Sequence, residues 1–138
     1  MYVFIFIFLL SIPQAMSTEY EVDVYFNDMV EVFFAENYDE AYRGFNQLSK
    51  ENYTDANYFL GIMYEEGLGT PQNYSKAYSM YLIAANSGNI DAQYSLGMFY
   101  IKGNGVEKNF DKGVKWLEVA SNNGDTESQF LLGSLFQF

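Results

Sequence analysis

Beyond the first seventeen positions, apolar residues return every three or four positions, the spacing that gathers them on one side of an α-helix. Val22, Tyr25, Phe26, Met29, Val30 and Phe33 form one such stripe. The short link Ala35 to Asp39 leads into a second helix from Glu40 to about Lys50. Further on, Ala56, Leu60, Met63 and Tyr64 share a helical face, and Ala92, Leu96, Phe99 and Tyr100 do the same. Between and after these stripes lie the partner helices, with Tyr74, Ala77, Tyr81 and Ala84 in one and Phe110, Val114, Leu117 and Ala120 in the other. The pattern predicts an all-α chain of alternating first and second helices.

The two sets are copies. Sliding the sequence by 36 positions carries Asp55, Ala56, Tyr58, Leu60, Gly61, Tyr64, Gly67 and Gly69 onto Asp91, Ala92, Tyr94, Leu96, Gly97, Tyr100, Gly103 and Gly105. It also carries Asn73, Lys76, Ala84, Asn86 and Gly88 onto Asn109, Lys112, Ala120, Asn122 and Gly124. A fixed period of this length marks stacked supersecondary units, each of which buries its apolar face only against a neighbour. Tyr38, Ala41 and Tyr42 match Tyr74, Ala77 and Tyr78, and Leu132 and Gly133 match Leu96 and Gly97, so the array reaches past two copies.

Within a unit, Gly67-x-Gly69 and Gly103-x-Gly105 end the first helix and reverse the chain. Asn73 and Asn109 then stand where a side-chain oxygen caps the next helix. Gly88 and Gly124 end that helix, with Asn89 and Asp125 placed to cap the following one. Gly61, Gly97 and Gly133 are different, because glycine inside a helix costs about 1 kcal/mol relative to alanine. Close approach of a neighbouring helix is the expected compensation. The sequence thus divides into 18–54, an N-terminal helix pair whose tighter link without a Gly-x-Gly turn resembles a tetratricopeptide hairpin, with an acidic outer face of Asp23, Asp28, Glu31 and Glu36; repeats at 55–90 and 91–126; and a first helix alone at 127–138.

Residues 1–17 follow another pattern. The apolar run Tyr2 to Leu10 is far shorter than the roughly 20 residues a membrane-spanning helix needs, and Pro13, Ala15 and Ser17 follow it. It reads as a signal peptide cut after Ser17, with Ala15 the second choice, which predicts a periplasmic or secreted protein without stable membrane insertion once cleaved. No Lys or Arg precedes the run, a departure from the usual pattern.

Composition then narrows the chemistry. With 18 acidic residues against 7 basic ones, the net charge of −11 opposes binding to nucleic-acid phosphates. The absence of both Cys and His removes disulfides, thiolate nucleophiles, the commonest zinc ligands and the side chain best suited to proton transfer near neutral pH. No catalytic, metal or cofactor-binding residue is assigned. Glu65 with Glu66 and Glu107 with Asp111 are the acid pairs a hydrolase of cell-wall or related polymers would have to use, and paired surface acids are far commoner than catalytic ones. The Gly-x-Gly turns lack the strand and the Gly-Lys-Ser/Thr ending of a phosphate loop. Asn52-Tyr53-Thr54 and Asn73-Tyr74-Ser75 satisfy the glycosylation sequon, although capping is the simpler role for Asn73.

The string Ala92-Gln93-Tyr94-Ser95-Leu96-Gly97-Met98-Phe99-Tyr100, followed by Gly103-Asn104-Gly105-Val106, Asn109, Lys112, Trp116, Ala120 and Gly124, resembles the Sel-one-like repeat, a branch of the tetratricopeptide superfamily. Thr70, Asn73, Asn109 and Gly113 depart from the usual valine, aspartates and alanine without moving the period. The resemblance implies a right-handed solenoid of antiparallel helix pairs and a role as an adaptor between proteins. Many bacterial members are exported, and eukaryotic ones include adaptors in endoplasmic-reticulum quality control.

In such an array the packing residues are Ala56, Leu60, Gly61, Tyr64, Ala92, Leu96, Gly97, Tyr100, Leu132 and Gly133. Recognition falls to positions outside that set. Tyr58, Ile62 and Glu65, with Tyr94, Met98 and Ile101 one repeat later, form the candidate partner-binding stripe, expected to face away from the seam within each repeat. Packing against adjacent repeats is the competing role for the two tyrosines. Leu131, Leu132, Leu135 and Phe136 make an apolar stretch with no second helix to cover it, which points to a protein partner or to self-association through the C-terminal helix. A shortened repeat protein without present function is the remaining alternative.

Overall fold

The computed structural model describes residues 19–137, so the expected signal peptide lies outside them. Seven helices follow one another: α1 (Glu19–Phe34), α2 (Tyr38–Lys50), α3 (Asp55–Glu66), α4 (Tyr74–Asn86), α5 (Ile90–Lys102), α6 (Phe110–Asn122) and α7 (Thr126–Leu135). The principal packing is between helices adjacent in sequence, which makes the chain an all-α solenoid. No helix of the described residues is long and apolar enough to cross a membrane.

Each helix begins and ends for a local reason. The side-chain oxygens of Asn73, Asn89 and Asn109 accept from the backbone N–H of Lys76, Ala92 and Lys112, each at 2.9 Å, and Asp125 accepts from Ser128 N–H at 2.6 Å. Gly67 and Gly103 close α3 and α5 in the left-handed conformation, with φ of 71° and 75°. The turn is then tied shut, since the N–H of Asn73 donates to Tyr64 O at 2.7 Å and that of Asn109 to Tyr100 O at 2.8 Å. α2 starts at Tyr38, two residues before the expected Glu40, because Glu36 takes a positive φ of 62° and reverses the chain within three residues. Asp39 and Glu40 then sit in the first turn of α2, where carboxylates oppose the positive end of the helix dipole.

The core runs along the axis. At the N-terminal end Phe26 and Phe33 of α1 meet Phe45 and Phe59, which stack at 4.7 Å between ring centroids. Met29 is buried, and Asp23, Asp28, Glu31 and Glu36 are exposed, as a capping pair requires. The expected packing residues Ala56, Leu60, Gly61, Tyr64, Ala92, Leu96, Gly97 and Tyr100 are all buried. Two hydroxyl pairs repeat with the period: Tyr42 with Tyr64 and Tyr78 with Tyr100, each at 2.8 Å.

The helical glycines separate into three cases. A methyl group on Gly61 would strike the ring of Tyr81. On Gly97 it would lie 3.0 Å from the backbone oxygen of Gly113 and 2.9 Å from Leu117 Cγ, so α5 and α6 touch backbone to backbone. Gly133 meets nothing within 4 Å and is exposed, and Leu132 is only half-buried. The packing role expected of those two residues is therefore not realised within the described chain: no helix stands against α7 where α6 stands against α5.

Ser128 occupies the register of Ala56 and Ala92, fully buried, with no hydrogen-bond partner for its hydroxyl among the described residues. Replacing it with alanine removes an unsatisfied buried group, so Ser128→Ala should raise stability in urea unfolding by about 1 kcal/mol. A loss of stability would show that the hydroxyl has a partner. Two substitutions at equivalent repeat positions should have opposite signs in the same assay. Gly97→Leu should cost about 2 kcal/mol or more through overpacking, whereas Gly133→Ala should gain up to about 1 kcal/mol from helix propensity alone. Equal effects would refute the close-approach account.

Candidate functional site

The stripe expected on α3 and α5 divides. Glu65 accepts a hydrogen bond from the Tyr81 hydroxyl at 2.7 Å, and the Tyr58 ring lies 6.1 Å from that of Tyr81, so both turn toward α4 of their own repeat. Ile101 packs over Gly113 of α6. These three therefore face the seam rather than away from it, and Ile62 is half-buried against the core. The reason lies in a paired exchange between repeats. Tyr81 and Glu65 correspond in register to Leu117 and Ile101, so a ring and its acceptor in one repeat become two aliphatic side chains in the next.

Tyr94 and Met98 are placed differently. With Leu117 standing where Tyr81 would be, Tyr94 makes no ring-to-ring contact among the described residues, although Tyr58 makes two. Tyr94 and Met98 line a shallow open groove of about 380 Å³ with Thr126, Glu127, Phe130 and Leu131 of α7. Phe130 is 80 % exposed. Sequence reasoning left Phe130 and Glu127 out of the stripe, yet the period marks them: Tyr58, Tyr94 and Phe130 share one register, and Asp55, Asp91 and Glu127 share another.

At the end of α7, Leu135 is 41 % and Phe136 51 % exposed, whereas Phe99 and Tyr100 in the same register one repeat earlier are 2 % and 8 % exposed. These two are the exposed part of the apolar stretch noted in the sequence, whose Leu131 and Leu132 are half-buried.

Carboxylates and phenols define the electrostatics. Burial, then the charges of Asp91, Glu65 and Glu127, push the Tyr58 hydroxyl up to about 12. Burial raises Tyr94 too, with Glu127 and Asp125 adding to it. Tyr81 is raised further by burial and by its bond to Glu65. Burial and the hydroxyl pairs hold Tyr64 and Tyr78 at about 12. The ammonium groups of Lys76 and Lys112 lie over the rings of Tyr64 and Tyr100, at 5.3 Å and 5.7 Å.

Of the acid pairs, Glu65 is engaged by Tyr81, and Glu66, Glu107 and Asp111 are exposed. No group of three or more His, Cys, Asp or Glu side chains among the described residues is arranged to hold a metal ion. Of the sequon asparagines, Asn73 is engaged as a helix cap, whereas Asn52 is exposed.

The Sel1 repeat model matches residues 54–89 and 90–125, and the chain belongs to that family. A Sel1 repeat protein from Oxalobacter formigenes superposes with a TM-score of 0.74 at 30% identity, over 78% of this chain and 44% of that one. The protein c5321, a protective antigen present in uropathogenic Escherichia coli strains and displaying an SLR fold, gives a TM-score of 0.76 at 31% identity, over 82% of this chain and 25% of that one. This chain thus spans less than half the length of either. Helicobacter pylori cysteine rich protein B shares the fold, with a TM-score of 0.66 at 20% identity over 85% of this chain and 99% of that one. No curated protein matches it.

The raised phenols make stability sensitive to alkali. An unfolded tyrosine ionises near its ordinary value of 10.0 and the folded Tyr58 and Tyr78 near 12, so the unfolded state binds fewer protons between those limits. Their contribution should be complete below pH 10 and lost as pH rises to about 12. Helical circular dichroism should accordingly collapse in that window, and Tyr58→Phe should shift the loss upward. A chain equally stable across the window would contradict the assigned environments.

Proposed function

We propose that the protein is an exported, non-catalytic adaptor that holds a protein partner against the exposed apolar side chains of α7. Sel1 repeats commonly serve as scaffolds for protein–protein interaction, which supports the general class. The observation that carries the specific reading is the uncovered face of α7, where Leu135 and Phe136 are exposed although the same registers are buried in α5. Apolar side chains in a repeat register are built to be covered. The acidic surface disfavours nucleic acid as that partner. Export rests on the segment 1–17.

A photo-crosslinking residue placed at Phe136 in the native host should give a discrete adduct, either with a second copy or with another protein. The same residue at Lys115, exposed on α6, should give none. Failure at Phe136, or indiscriminate adducts from both positions, would overturn the adaptor reading. The mature protein should begin at Thr18, and recovery of a chain still starting at Met1 would defeat the export proposal.

A further inference from the structure

The groove between α5 and α7 combines features that together specify the chemistry of what it takes. Its lining is mostly aromatic and aliphatic, from Tyr94, Met98, Phe130 and Leu131, and its volume of about 380 Å³ is at the small end of ligand clefts. Its rim is acidic. Glu127 lines the groove directly, and its charge is felt by the hydroxyls of both Tyr58 and Tyr94. Asp91 acts on Tyr58 from α5. Among the described residues neither Asp91 nor Glu127 makes a hydrogen bond or an ion pair, while Asp125 is occupied as the cap of α7.

We propose that this groove binds an arginine-bearing segment of the partner protein, its guanidinium stacked on Phe130 and Tyr94 and paired with Glu127, its flanking apolar side chains on Met98 and Leu131. Charge complementarity decides the occupant. An acidic peptide or a phosphate group would meet a surface of net charge −11, whereas a planar cation stacks on aromatic faces and pairs with a carboxylate at once. An ammonium group supplies the charge without the planar stacking, so lysine is the weaker occupant. The proposal rests on the adaptor reading, but Phe136 does not line the groove, so the two fail separately.

The test uses two synthetic peptides, acetyl-Leu-Ala-Arg-Leu-Ala-amide and its counterpart with citrulline, the neutral isostere, in place of arginine. Binding is followed through the methyl resonance of Met98, assigned by its loss in Met98→Leu. The arginine peptide should shift that resonance saturably and bind roughly five- to tenfold more tightly than the citrulline peptide, with the advantage shrinking as salt is raised. Glu127→Gln should remove the difference between the two peptides, and Phe130→Ser, at an exposed position, should weaken both. Equal affinity of the two peptides, no shift with either, or an unchanged preference in Glu127→Gln with native helical content would overturn the proposal. If the Phe136 crosslink still forms in that case, the adaptor reading stands without the arginine specificity.

Discussion

The stack depends on a contact in which no side chain can take part. The second glycine of each turn, Gly69 and Gly105, lies with φ of 65° and 64° against the carbonyl that opens the preceding second helix, at Tyr38 and Tyr74. A methyl group there would collide with that carbonyl, and a side chain would also resist the backbone angle. Turn and inter-repeat contact are thus one constraint. The first glycine stops the helix, and the second lets the next unit nest on the last. With the unit's position fixed in this way, the intervals between Asn73 and Asn109 and between Gly61 and Gly97 become spatial repeats as well as sequence repeats.

Much of this was legible in the sequence because it is local. A cap needs only its own oxygen and an amide three residues on, so Asn73, Asn89, Asn109 and Asp125 could be read from position alone. Apolar periodicity similarly announced the buried faces of α3 and α5. The start of α2 was misplaced by two residues because Glu36 adopts a positive φ without being glycine, and nothing in its type advertises that. The direction of Tyr58, Glu65 and Ile101 was misjudged for a different reason. A side chain's outlook depends on its partner across the seam, and the exchange of Tyr81 with Glu65 for Leu117 with Ile101 is visible only when two helices are laid together.

That exchange shows how a repeat protein varies its surface while keeping its frame. Tyr81 spans its repeat, filling the space over Gly61 and reaching Glu65, and it occupies Tyr58 in the process. Leu117 covers Gly97 and stops short, and the backbone of Gly113 approaches in its place. Both solutions bury the same register. They leave the aromatic residue above in different states, Tyr58 engaged by rings of its own chain and Tyr94 without one. The scaffold is therefore uniform in its packing and non-uniform in what it offers to a partner.

Gly133 takes the same reasoning to its limit. It sits in the string Leu132-Gly133, identical to Leu96-Gly97, and a sequence pattern alone assigns both glycines to close packing. Of the two, Gly97 alone has a helix against it among the described residues. A motif records what a position can accommodate, and whether it is filled depends on an element elsewhere. The hydroxyl pairs follow this rule too, since the register of Tyr78 and Tyr100 is occupied next by Val114 and Phe136, a pair with no hydrogen bond to make. An apolar ring replaces a tyrosine at a position that no further helix covers among the described residues. That substitution removes the need for a specific hydroxyl partner and keeps the affinity for apolar surface, the condition under which a packing register becomes a binding face.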